Sequence, residues 1–308
     1  MKIVFMGTPD LAAAVLNTML EAGLAVSLVV TQPDRQKGRG KSLVKSPVKL
    51  LAEKWNIPVF QPDRIRRPEA VRRLREEEPD LIVVAAFGQI LSKEILDLPP
   101  LGCVNVHTSL LPMYRGAAPI QWAVINGEKY SGVTIMKMDE GLDTGPILLQ
   151  ERLALDPKET GESLYDKLSV MGGRLLLDAV KGLEEGTLAA VPQEGETCYA
   201  SMLKKEMGDI DWTQSARKIE RLVRGLNSWP SAYTRFQDRI LKIWDADVLD
   251  EEDEEAPGTV VRTDKNTIYV RCGQGILAVR EVQIEGKKRM PVSAFLLGNP
   301  VKAGDRLG

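Results

Sequence analysis

Three short apolar runs rich in β-branched residues, each set off from the next by a helical stretch, constrain this chain more than any other feature. Lys2-Ile-Val-Phe-Met6 reads as a strand that turns at Gly7-Thr8-Pro9-Asp10 into a helix carrying Leu11, Val15, Leu16, Met19 and Leu20. Leu24 to Thr31 gives a second strand. Asp80 to Ala86 gives a third, entered after a helix near 68–77 whose arginines and glutamates form a solvated face. Strand–helix–strand order with apolar strands predicts a doubly wound, mostly parallel α/β sheet with helices on both faces. The first turn lacks G-x-G-x-x-G, which argues against a dinucleotide as ligand.

In such sheets ligands bind beyond the carboxyl ends of the strands, so the stretch from Gly102 to Gly145 draws attention. Gly102–Val106 reads as a further buried strand, and Asn105, His107 and Ser109 share one face while the chain stays extended. His107 is the only histidine of the 308 residues. Leu110-Leu111-Pro112 ends the extension, and Pro119 suits the first turn of a helix near Ile120–Ala123. A later apolar strand, Val133–Met136, leads into Gly-Leu-Asp143-Thr-Gly. A carboxylate near an imidazole favours the charged ring and orients it, and Asn with imidazolium supplies donors for an oxygen that gains charge. Asn105, His107 and Asp143 are thus the candidate catalytic residues.

Gln32–Lys49 stands apart, with Arg35, Lys37, Arg39, Lys41, Lys45 and Lys49 against the single acid Asp34. It is expected to be a basic surface loop, either simply solvated or, lying at the carboxyl end of a strand, able to clamp RNA phosphates, with Arg39 and Lys41 reaching farthest. The formal net charge of −2 gives no global attraction to nucleic acid, so RNA contact must be local. Cys103, Cys198 and Cys272 are widely spaced and point to neither a disulfide framework nor a zinc site. No run of about 18 apolar residues occurs and no signal peptide is visible, so a cytoplasmic location is expected.

Further on, Ile147–Gln150 is strand-like, and Leu164, Leu168, Met171, Leu175, Leu176 and Ala179 form one helical stripe. Texture changes past Gly186. Val191 to Lys205 reads as an extended connection, and a helix follows Asp211-Trp212. Five short strand patterns between Ala232 and Val282 then suggest a small β-barrel. The expected division is 1–190, a linker at 191–205, and 206–308. Lys287, Lys288 and Arg289 give the barrel a basic face, whereas Asp250–Glu255 forms a solvated tip held away from RNA.

The blocks GTPD at 7–10, TQPDRQKGRGK at 31–41, SPVK at 46–49 and FQPDRIR at 60–66 occur in that order. They are followed by NVHTSLLP at 105–112, RGAAPIQ at 115–121, GVTIMKMDEGLDTG at 132–145 and LNSWPSAYT at 226–234. Together they resemble the folate-dependent formyltransferases, in particular the branch acting on methionyl initiator tRNA. The resemblance implies 10-formyltetrahydrofolate as formyl donor and the α-amino group of the methionyl-tRNA as acceptor. It also implies Asn105, His107 and Asp143 as catalytic residues, Ser109, Leu110, Leu111 and Pro112 as one wall of the folate pocket, and Arg35, Lys37, Arg39 and Lys41 as tRNA contacts. The C-terminal barrel would be OB-like and bind tRNA. No metal is expected, since an N-formyl amide is already activated, and no obligate protein partner is implied, so a monomer is expected. Met113-Tyr114 replaces the family's usual Arg-Trp, Pro146 a common acid, and Phe87 a frequent tyrosine. The rivals are a formyltransferase for a sugar nucleotide or glycinamide ribonucleotide, disfavoured by the basic loop and C-terminal pattern, and a non-catalytic RNA-binding relative, disfavoured by the intact Asn105, His107 and Asp143.

Overall fold

A computed structural model describes residues 1–37 and 42–308. The chain divides into two compact units. The first comprises Met1–Gly116, Tyr130–Ala154 and Tyr165–Ala200; the second comprises Ala117–Lys129, Leu155–Leu164 and Ser201–Gly308.

In the first unit the strands are β1 (Ile3–Gly7), β2 (Val26–Val30), β3 (Arg35–Lys37), β4 (Ser42–Val44), β5 (Val59–Phe60), β6 (Leu81–Ala85), β7 (Cys103–His107), β8 (Arg115–Gly116), β9 (Tyr130–Lys137), β10 (Ile147–Ala154) and β11 (Tyr199–Ala200). Seven of them form one sheet in the order β10-β9-β7-β6-β1-β2-β5. The five from β7 to β5 run parallel, and β9 and β10 extend the edge antiparallel. Every residue of β1 and β6 is buried, which explains their unbroken apolar runs. Val4, Met6, Ile82 and Val84 pack against Ala70, Val71 and Leu74 of α3 (Pro68–Glu76) and Ile95 of α4 (Lys93–Leu96). The opposite face receives α1 (Asp10–Glu21) and the long α6 (Gly161–Glu184). Gly172 of α6 sits so close to β7 that an added Cβ would lie 2.9 Å from Val106 Cγ1. A side chain there would displace the strand that carries His107.

Sheet order reverses beside β1, since β2 follows on one side and β6 returns on the other. At the carboxyl ends of these three strands lies a cavity of about 650 Å³, lined by Thr8, Pro9, Gln32, Arg35, Phe87 and Gly88 among others. This is the crevice such a topology predicts.

The basic segment is more structured than composition suggested. Arg35–Lys37 and Ser42–Val44 pair as an antiparallel hairpin, and α2 (Pro47–Lys54) begins at once, capped by Ser46 Oγ, which accepts from Lys49 N. Lys45 pairs with Glu53 at 2.8 Å, and Lys49 with Asp34 at 2.6 Å. The Lys49 ammonium and the Gln61 amide hold the Asp34 carboxyl below the usual carboxylate range. Two of the six cations are therefore engaged within the fold. Arg39 and Lys41 lie outside the described residues.

The second unit holds α5 (Pro119–Asn126), α7 (Ala216–Gly225), α8 (Val292–Leu296) and the strands β12 (Ala232–Phe236), β13 (Arg239–Leu249), β14 (Val260–Thr263), β15 (Ile268–Arg271), β16 (Ile276–Ile284) and β17 (Met290–Pro291). They form an antiparallel sheet in the order β12-β13-β16-β15-β14, with β17 on β16. Ile219 and Val223 of α7 join Trp212, Phe236, Ile243, Leu277 and Phe295 in its core. From another side of α7, Leu222 packs with Trp122 and Ile125 of α5. The acidic run from Asp250 pairs internally: Asp250 with Arg217, Glu251 with Arg262 and Glu252 with Arg271.

Candidate active site

β7 places Asn105 and His107 two residues apart, flanked by Val84 of β6 and by Met136 and Thr134 of β9. Asn105 is half-buried, and among the described residues its amide has no hydrogen-bond partner. A polar group so placed is available to a ligand. His107 is 6% exposed. Its Nε2 lies 2.9 Å from the carbonyl oxygen of Tyr114. A carbonyl only accepts, so Nε2 carries the hydrogen and Nδ1 is the nitrogen left to other partners.

Nδ1 faces Asp143 Oδ2 at 3.8 Å. That separation is beyond a hydrogen bond and within reach of an ion pair once the ring is charged. The carboxylate is positioned from the other side by the backbone N–H of Gly116, at 2.8 Å from the same oxygen. Asp143 has a left-handed backbone, φ 53°. At Gly145 an added Cβ would collide with the carbonyl oxygen of Lys137, so this turn admits glycine alone. Asp139 ties the near side of the loop by accepting from Gly141 N at 3.0 Å and Thr144 Oγ1 at 2.7 Å.

Tyr114 departs from the family's usual residue, yet its contact with His107 is through the backbone. Its left-handed φ of 61° turns the carbonyl toward the ring. The segment around it is fastened by residues far along the chain. Cys198 accepts from Tyr114 N through Sγ at 3.4 Å and from Arg115 N through its carbonyl at 3.1 Å. β8 then pairs in parallel with β11.

Gln193 is the residue that sequence reading missed. Its Nε2 donates to the carbonyls of Asp143 and Gly145, at 2.8 and 2.7 Å, while Oε1 accepts from Arg115 Nη2 at 2.7 Å. One amide therefore joins the Asp143 loop to the Tyr114 segment. Nothing local in Val-Pro-Gln-Glu-Gly announces this, since its partners lie about 50 and 78 positions away. Gln193→Ala is expected to lower turnover about tenfold to a hundredfold, as loss of positioning does. Limited proteolysis of the loop should accelerate in parallel. Unchanged turnover and unchanged cleavage would show that the brace is dispensable.

Ser109–Pro112 is held just as firmly. Ser109 Oγ donates to Met113 O at 2.7 Å, Thr134 Oγ1 donates to Ser109 O at 2.6 Å, and Gln150 Nε2 donates to Leu111 O at 3.0 Å. The side chains of Ser109 and Leu111 are buried, which leaves Leu110 and Pro112 as the partly exposed members. Phe87 is likewise a core residue, its carbonyl accepting from Gln32 Nε2 at 3.1 Å, while Gly88 lines the crevice.

An imidazole with one nitrogen held by a carbonyl and the other facing a carboxylate, and an unsatisfied amide two residues away on the same strand, can stabilise an oxyanion and relay a proton. Residues 1–180 match the formyl transferase family and residues 202–300 the formyl transferase C-terminal domain. Methionyl-tRNA formyltransferase of Lachnospira eligens is 55% identical, with 100% of both chains covered. That of Agathobacter rectalis is 52% identical over 99% of this chain and 98% of the relative. Among solved structures, HypX from Aquifex aeolicus in complex with tetrahydrofolic acid matches with a TM-score of 0.65 at 21% identity. The match covers 98% of this chain and 48% of HypX, so the chain spans about half of that protein. WlaRD, a sugar 3N-formyl transferase, matches with a TM-score of 0.66 at 19% identity over 94% of this chain and 99% of its own.

Proposed function

The chain belongs to the formyl transferase family, and from that membership we propose that it moves the formyl group of 10-formyltetrahydrofolate to the α-amino group of methionyl initiator tRNA. The observation that carries the chemistry is the arrangement at His107, with Nε2–H committed to Tyr114 O and Nδ1 set 3.8 Å from Asp143. Asn105 and the charged His107 donate to the formyl oxygen as the amine adds and that oxygen becomes anionic. As the carbon–nitrogen bond to the folate N10 breaks, the proton released by the attacking amine is passed to N10, His107 serving as carrier. Asp143 stabilises the charged ring and helps to accept the ammonium's proton through water.

Leu110 and Pro112 supply apolar contact to the folate, with Ser109 and Leu111 holding their backbone in shape. Arg35, Lys37, Arg39 and Lys41 contact the acceptor-end phosphates. Within this reading residues 1–190 are the catalytic part, 206–308 the tRNA-binding part, and the protein acts as a cytoplasmic monomer. Among the described residues no helix is long and apolar enough to cross a membrane.

The deciding experiment offers the enzyme and 10-formyltetrahydrofolate three acceptors: methionyl initiator tRNA, an amino-sugar nucleotide and glycinamide ribonucleotide. Only the tRNA should be formylated. Arg39→Ala should raise KM for the tRNA about tenfold, equivalent to about 1.4 kcal/mol. Formylation of the sugar amine with no transfer to tRNA would replace the substrate while keeping the reaction class.

A further inference from the structure

The side chain of Tyr199 is 63% exposed, yet its backbone is tied down. In the parallel pairing of β8 with β11 it stands opposite Arg115. The two residues before it are fastened to the same segment. Thr197 Oγ1 donates to Pro112 O at 2.6 Å, and the Cys198 carbonyl accepts from Arg115 N at 3.1 Å. The ring rests on the backbone of Gly116, where an added Cβ would come within 2.6 Å of its Cε2. A side chain at position 116 would therefore displace it. The N–H of that same glycine donates to Asp143 Oδ2 at 2.8 Å. Part of the ring is thus spent on Gly116, and the rest is open to solvent beside the backbone that holds the Asp143 carboxylate.

Leu142, which precedes Asp143 in the chain, is 52% exposed. Apolar side chains exposed singly are ordinary, whereas two beside one carboxylate form a patch for a substrate to cover. Which substrate follows from the chemistry. In the reaction proposed above, Asp143 helps to take the ammonium's proton, while the folate lies against Leu110 and Pro112. A group mounted on the Gly116 backbone, next to Asp143, therefore neighbours the acceptor. A slim, flexible methionyl side chain gains most from an enclosed slot. An open and firmly mounted ring suits a flat base instead. Tyrosine has few side-chain torsions, and its fixed backbone leaves little freedom to lose when a base settles on it.

Resting on the function proposed above, we propose that Tyr199 stacks on the terminal adenine of the acceptor, the nucleoside whose ribose carries the methionyl ester. The stack sets the amine beside His107 and Asp143. It selects for the presence of a base and not for its identity, since every base has a π-face.

The test follows formyl transfer from 10-formyltetrahydrofolate to methionyl initiator tRNA by the full-length protein. Two small esters compete with the tRNA: methionyl-adenosine and the methyl ester of methionine. Read as inhibition constants, the comparison does not require either ester to be turned over. Wild type is expected to bind the adenosine ester about tenfold more tightly than the methyl ester, the order of one base stack. Tyr199→Ala alters an exposed side chain and should fold normally. It should erase that preference and raise KM for methionyl-tRNA about tenfold. Its kcat, its KM for the folate and its affinity for the methyl ester should stay at wild-type values. Tyr199→Phe keeps the ring and should match wild type throughout. Four results overturn the proposal and leave the function standing: no preference between the esters in wild type, equal loss of both in Tyr199→Ala, a raised folate KM, or wild-type constants in that variant. A wild type that transfers no formyl group to methionyl-tRNA overturns the function and the proposal together.

Discussion

Replacing His107 with asparagine is expected to lower kcat by about a thousandfold or more, roughly 4 kcal/mol of transition-state stabilisation. Two effects combine. A positioned acid–base group contributes about 10² to 10⁴ and an oxyanion donor about 10² to 10³, the two overlapping when one side chain performs both. Asparagine is the informative substitute because its amide takes the place of Nδ1 without exchanging a proton and falls short of Tyr114 O, which lies 2.9 Å from Nε2 in the native site. What it removes is the imidazole's capacity to carry a proton. Single-turnover formyl transfer at saturating donor and tRNA isolates the chemical step. Turnover within tenfold of wild type would move the proton transfer to another group.

Asp143→Asn separates charge from shape. Oδ2 currently accepts from Gly116 N and faces His107 Nδ1, and an amide oxygen preserves the first contact while cancelling the second. The expected result is a fall in kcat of about a hundredfold to a thousandfold with the affinity for the folate donor nearly intact. Asp143→Ala should be worse, because the Gly116 N–H loses its acceptor and the Tyr114 segment loosens. If His107 and Asp143 act as one unit, the double variant should be little slower than His107→Asn alone. Comparable turnover in wild type and Asp143→Asn would remove Asp143 from the chemistry.

Much of the fold was legible because it obeys local rules. β1, β2 and β6 announce themselves as apolar runs, since a strand covered on both faces has no polar side to show. The strand at Ile147 was read four residues short. Beyond Gln150 it runs along an edge as Glu-Arg-Leu-Ala, half-exposed, and its pairing with β9 leaves no apolar alternation to mark it. Asn105, His107 and Asp143 stood out by type and position, and the structure sets the His107 ring beside the Asp143 carboxylate. The braces did not stand out. Gln193 and Cys198 act across more than 40 residues, and side-chain-to-backbone bonds of that span leave no periodicity. The salt bridges of Lys45 and Lys49 were hidden in the same way by a composition that reads as loop. Nor does the sequence show that Ala117–Lys129, in the middle of a Rossmann-like run, packs with α7 in the second unit.

The dependence of the site on Gln193 and on the β8–β11 pairing has a consequence for biosynthesis. Asp143 leaves the ribosome 50 residues before the amide that holds its loop in register, and His107 earlier still. A nascent or truncated chain ending near 190 would contain every candidate catalytic side chain and still lack the strap that sets their spacing. Competence would therefore switch on late in translation, with the arrival of a stretch that carries no chemistry of its own.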